Sequence, residues 1–101
     1  MNFDNFNLDE ISGFEWDNGN IGKNKTKHNL DKWQIEEVFF NEPFLVYHDT
    51  IHSQTEFRWY ALGRTDNNLQ LMVVFTLRNN LIRVISARKM NKRERAFYED
   101  L

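Results

Sequence analysis

Between Leu69 and Arg88 the chain reads as two strands folded back on an Asn-Asn turn, and this hairpin is the strongest constraint on its fold. Leu69, Leu71, Val73 and Phe75 alternate with Gln70, Met72, Val74 and Thr76, the period of two that sends side chains to opposite faces of a sheet. Met72 and Val74 make the second face apolar in part, so burial is expected on both faces. Asn79-Asn80 suits a tight turn because asparagine tolerates positive φ, and Leu81 to Arg88 supplies the returning strand.

The remaining elements arrange themselves around that hairpin. Phe44 to His48 is a short apolar strand, Asp49 to Gln54 a polar connection, and Phe57 to Gly63 an aromatic-rich strand closed by the turn Asp66-Asn67-Asn68. Ile11 to Trp16 reads as a further short strand leading to Asp17, the N-cap of a polar helix that runs towards His28 across Gly19 and Gly22. A second helix starts at Asp31, with Gln34 at N3 as a capping box and Leu30 and Ile35 as a hydrophobic staple. Ile35, Val38 and Phe39 follow at helical spacing, and Asn41-Glu42-Pro43 ends the run. Asn91 with Glu94 caps a last helix on which Phe97 and Leu101 share a face. The expected architecture is α+β: an antiparallel sheet of four to five strands with two N-terminal helices and one C-terminal helix. One domain over 1–101 is expected, with 1–10 as a loose arm.

Composition narrows the chemistry. Without cysteine there is no thiolate nucleophile, thiolate metal site or disulfide, which fits a cytoplasmic location. The first residues, MNFDNFNLDE, lack the basic and apolar regions of a signal peptide, and runs such as Leu71 to Phe75 are too short to cross a bilayer. The net charge of −2 argues against nucleic-acid binding, but its distribution argues for it. Five acidic residues and no basic one lie between Met1 and Asp17, whereas seven basic residues and one acidic residue, Glu94, lie between Arg78 and Arg95.

Four blocks carry a family resemblance. They are Phe14-Glu15-Trp16-Asp17; Asn24 with Lys27-His28; Asp49, His52-Ser53, Glu56 and Arg58; and Ile82-Arg83-Val84-Ile85-Ser86-Ala87-Arg88-Lys89 with Arg93-Glu94-Arg95 and Tyr98-Glu99. In this order they resemble the BrnT family of toxins from type II toxin–antitoxin pairs. The chain departs from the family pattern at Asn20, where a lysine is usual, and at Asn29, where a glycine is expected. The resemblance implies a RelE-like fold and a metal-independent endoribonuclease that cleaves mRNA and so inhibits translation and growth. It also implies a partner, a BrnA-like antitoxin with a ribbon–helix–helix DNA-binding part, and no cofactor.

Cutting RNA through the ribose 2′-OH needs a base, an acid and positive charge at phosphorus. Arg58, Arg83 and Arg88 are the candidates for the charge, because a guanidinium pairs two phosphate oxygens and stays protonated. On a regular strand Arg83 and Arg88, five residues apart, point to opposite faces, although Arg88 at the strand end is free to turn. His28 beside Lys27 is the favoured proton carrier and Glu56 the second; Lys27, Lys89, Lys92 and Arg93 are candidate RNA contacts. The spacing of His48, Asp49 and His52 on a strand and loop does not converge as a zinc site does on a helix. Trp16, Trp33 and Trp59 suit either base stacking or packing, with Trp33 the best placed for an interface. The competing expectation is a non-catalytic RNA- or protein-binding module that uses the same basic edge.

Overall fold

A computed structural model describes residues 2–3, 6–20, 29–49 and 56–101. Its main sheet contains β3 (Gly13–Glu15), β4 (Leu45–His48), β5 (Arg58–Arg64), β6 (Gln70–Arg78) and β7 (Leu81–Lys89), in the order β3-β7-β6-β5-β4. Two-residue strands β1 (Asn2–Phe3) and β2 (Phe6–Asn7) pair separately, followed by a 3₁₀ turn at Leu8–Glu10. The helices are α1 (Lys32–Val38) and α2 (Lys92–Glu99).

The local signals act as chemistry dictates. Asn79 and Asn80 take φ of 53° and 64° at the β6–β7 turn. Gln34 caps α1 by accepting the Asp31 amide at 2.9 Å, and Leu30 and Ile35 are both buried in one core. At α2 the box is reciprocal: Asn91 Oδ1 accepts the Glu94 amide at 2.8 Å, and Glu94 Oε1 accepts the Asn91 amide at 2.9 Å.

The sheet is mixed, which corrects the antiparallel expectation. β4, β5, β6 and β7 form an antiparallel meander, but β3 lies parallel to β7, with Phe14 opposite Ile82 and Glu15 opposite Arg83. The fifth strand comes from before α1 and docks on the free edge of β7, a placement that no short-range pattern encodes. The helices are interleaved with the strands. The 3₁₀ turn precedes β3, α1 separates β3 from β4, and α2 closes the chain. Of the polar helix expected from Asp17 towards His28, only its opening at residues 18–20 falls among the described residues, capped by Asp17 Oδ1 accepting the Gly19 and Asn20 amides.

Two apolar layers result. On one face α1 packs Ile35, Val38 and Phe39 against Ala61, Val73, Phe75, Ile82 and Val84, all buried. Gly63 lies directly under the helix: a Cβ there would stand 2.5 Å from Val38 Cγ1 and 3.1 Å from the Val38 carbonyl oxygen. Gly63→Ala is therefore expected to push α1 from the sheet and cost about 1–3 kcal/mol, read as a lower midpoint in urea unfolding at unchanged slope. On the other face α2 covers only part of the sheet, through Tyr98 with Leu62 and Met90, and Tyr98 donates its hydroxyl proton to the Pro43 carbonyl. This leaves Phe97 half-exposed, and it leaves a groove open on the sheet face.

Candidate active-site groove

The open face owes its contents to a β-bulge. Phe75 pairs with Val84 and Val74 with Ser86, so Ile85 is an extra residue on β7. Before it, Ile82 and Val84 are buried against α1; after it, Ala87 is buried against α1. The insertion reverses the alternation, so Arg83 and Arg88 lie on the same, open face. A regular strand would have separated them, and the bulge corrects that expectation.

Cross-strand register lays out the rest of this face in rows. Arg58, Thr76 and Arg83 form one row, with Glu15 beyond Arg83; Tyr60, Val74 and Ser86 form the next; Leu62, Met72 and Arg88 form the third. A groove of about 560 Å³ runs across it. Tyr60, Met72, Val74 and Ile85 give it an apolar floor, and Asp49, Arg58, Ser86 and Glu94 supply the polar groups around it. An apolar cleft with a few convergent polar groups is the usual form of a small-ligand site.

Ion pairs hold the guanidinium groups at both ends. At one end charges alternate in a chain: Asp17–Arg83 at 2.8 Å, Arg83–Glu15 at 3.1 Å, Glu15–Arg78 at 3.8 Å, Arg78–Glu56 at 3.7 Å and Glu56–Arg58 at 4.0 Å. The hydrogen bond from Arg83 holds the Asp17 carboxyl below its ordinary range, and Asp17 in turn raises the Arg83 guanidinium. At the other end Arg88 donates two parallel hydrogen bonds to Glu94, at 2.8 and 3.0 Å, the fork geometry that fixes a guanidinium in direction as well as place.

That second pair couples the site to folding. The hydrogen bond from Arg88 is the largest cause of a Glu94 pKa below its ordinary value of 4.5. A carboxyl depressed in the folded state stabilises fully above its unfolded pKa, and that stabilisation is lost as pH falls through the lower folded value. Glu94→Gln is therefore expected to cost about 1 kcal/mol or less at neutral pH. It should also flatten the fall in stability below pH 4.5, as measured by denaturation at a series of acidic pH values.

The candidates from sequence thus divide. Arg58 lines the groove, Glu56 lies 4.0 Å from it, and Arg88 stands behind Glu94 at the wall. Arg83 sits one row from the floor, held by Glu15 and Asp17. Arg93 borders an adjoining hollow. Lys89 lines a separate depression with Gln70 and Arg95, and Lys92 is exposed at the start of α2. His28, Lys27, His52 and Ser53 lie outside the described residues.

Some groups at the site were not singled out from the sequence. Tyr60 shares the face of Arg58 by strand alternation, a signal legible in Arg58-Trp59-Tyr60. The carboxylates that hold Arg83 come from far along the chain, Glu15 on β3 lying 68 residues away and Asp17 just after that strand, which no local pattern reveals. The two departures from the family pattern also find physical accounts. Asn29 takes φ of 55°, a conformation asparagine tolerates better than most residues. Asn20 is buried, donating to the Glu15 and Val84 carbonyls and accepting the Asp17 amide, so it ties β3 to β7 and has no role as a free cation. Trp16 donates to Glu36 at 2.7 Å and Trp59 stacks on Phe75 in the core, while Trp33 is exposed.

The family described as "Ribonuclease toxin, BrnT, of type II toxin-antitoxin system" matches residues 16–94. The chain belongs to the BrnT family. Comparison with curated protein sequences finds no match. Membership makes this chain a ribonuclease toxin of a type II toxin–antitoxin pair, with a protein antitoxin as its partner. The matched span begins just after β3 and contains the bulge, Arg58, Arg83, Arg88 and Glu94, so every residue lining the groove falls within the BrnT homology. No described helix is long and apolar enough to cross a membrane.

Proposed function

We propose that this chain is a metal-independent endoribonuclease that cuts mRNA through the ribose 2′-OH, and that a ribbon–helix–helix antitoxin holds it inactive. The observation that carries the reading is the groove itself, with Arg58 inside it and the Arg88–Glu94 pair at its wall, in a BrnT-family chain. In this reaction the 2′-oxygen attacks phosphorus, the bond to the 5′-oxygen breaks, and a 2′,3′-cyclic phosphate remains. Arg58 and Arg88 supply the positive charge that the pentavalent phosphorus requires, a task that a guanidinium performs without a metal ion. Arg83 extends that field from the adjoining row, and Glu56 and His28 are the proton-transfer groups, taking the 2′-OH proton and returning one to the leaving oxygen. Lys27, Lys89, Lys92 and Arg93 would hold the phosphates of the flanking strand.

The test is incubation of the purified chain with single-stranded RNA in EDTA. Fragments ending in cyclic phosphate are expected, and a strand carrying 2′-deoxyribose at the cleaved position should survive. Intact RNA beside a folded protein at high concentration would sink the reading. The saturation of Arg83 and Arg88 by carboxylates favours one alternative, a module that binds RNA or protein without cutting. Such a module would leave RNA intact, and its affinity would fall steeply with salt if phosphate is what it holds.

A further inference from the structure

Beside the groove, under α2, lies a second hollow of about 390 Å³, lined by Tyr47, Tyr60, Leu62, Arg93, Glu94 and Phe97. Tyr60 and Glu94 line both hollows, so the two adjoin. Its floor is a pair of stacked rings: Tyr47 and Tyr60 are cross-strand partners with centroids 5.1 Å apart and planes inclined by 25°. Its outer wall is Phe97, a ring 52% exposed on α2. The residue that α2 buries is Tyr98, so Phe97 keeps about half of its surface open at the mouth of the hollow.

The charge of the hollow fits a nucleic acid. Arg93 is the cation at its edge. The one carboxylate, Glu94, accepts two hydrogen bonds from Arg88 and one from the Asn91 amide, so its charge is already compensated. Aromatic rings beside a cation, next to a groove bordered by polar groups, are how single-stranded nucleic acids are held without reading their sequence. The volume lies in the range of small-ligand sites.

We infer that Phe97 with the Tyr47–Tyr60 pair forms a nucleobase-stacking subsite, in which a base adjoining the scissile phosphate is held while Arg93 contacts the neighbouring phosphate. This rests on the ribonuclease reading and adds to it a specific grip on an unpaired base. Double-stranded RNA cannot use the subsite, because its bases are stacked on one another. The substrate class is therefore single-stranded RNA, or a loop with a base turned outward.

The experiment compares two fluorescent oligomers of equal length that cannot be cut: 2′-O-methyl RNA, and the same backbone with abasic positions. Wild-type protein is expected to bind the base-bearing oligomer about tenfold more tightly than the abasic one. Phe97→Ala removes that difference, leaves the abasic affinity and its salt dependence as they were, and Phe97→Trp restores the preference. Because Phe97 is exposed, the alanine variant is expected to remain folded, and circular dichroism checks it. Equal binding of the two oligomers by wild type, or an unchanged preference in Phe97→Ala, overturns the subsite while RNA cleavage in EDTA still stands. Loss of antitoxin affinity alone in Phe97→Ala assigns the ring to the protein partner and overturns it as well. Failure of wild type both to bind and to cut RNA removes the nuclease reading together with the subsite.

Discussion

Arg58→Ala is expected to lower RNA cleavage about 10²–10³-fold, the loss seen when one preorganised donor to a developing oxyanion is removed. Arg58 is the guanidinium that lines the groove directly, whereas Arg88 reaches its wall behind Glu94 and Arg83 sits in the adjoining row. Its pairing with Glu56 is at 4.0 Å and its side chain is one-third exposed, so the ion pair itself contributes about 1 kcal/mol or less to folding. Thermal midpoint should therefore move by only a few degrees while initial cleavage rate collapses. Arg58→Lys keeps the charge but not the two-pronged donor and should recover only a minor part of the rate. Equal rates in wild type and Arg58→Ala, with both proteins folded, would show that the groove is not where the phosphate is attacked.

The contrast between Arg58 and its neighbours shows how far the sequence alone reaches. Its alternation with Tyr60 and Leu62 on β5 is a local rule, and local rules are legible at the Asn79-Asn80 turn, the Asn91–Glu94 box and the staple of Leu30 and Ile35. Whatever depends on pairing across the chain was not. The bulge at Ile85 arises from the register of β7 against β6, and that single residue decides whether Arg83 and Arg88 share a face. The parallel placement of β3 arises from the free edge of β7, and it brings Glu15 and Asp17 to Arg83. From the sequence the acidic N-terminal stretch and the basic C-terminal stretch looked like separate fields; folding sets parts of them side by side. The guanidinium groups consequently lie in carboxylate chains, with an open groove beside them.

Phe39→Ala has the largest expected effect on stability, about 3–5 kcal/mol. The ring is 2% exposed and lies edge-on or tilted to three others, Phe14, Phe44 and Phe75, with centroids 5.2–5.3 Å away. These rings come from β3, β6 and the residue just before β4, so Phe39 joins the parallel edge strand to the meander through the end of α1. Removing it loses the transfer energy of the ring and opens a cavity that four converging segments cannot close. A domain of this length has a total stability of about 5–15 kcal/mol, so the variant should be partly unfolded at growth temperature. The thermal midpoint is expected to fall by roughly 12–40 °C. Phe39 lies on the face opposite the groove, and the rows of Arg58, Tyr60 and Leu62 are carried by β5 and its antiparallel partners. Phe39→Ala that is still folded at low temperature should therefore cut RNA at close to the wild-type rate per folded molecule, the inverse of Arg58→Ala. A loss of less than about 1 kcal/mol in denaturant unfolding would mean that α1 and β3 are not held to the sheet by this aromatic cluster; a loss of cleavage at full folding would mean that the two faces are coupled through the sheet.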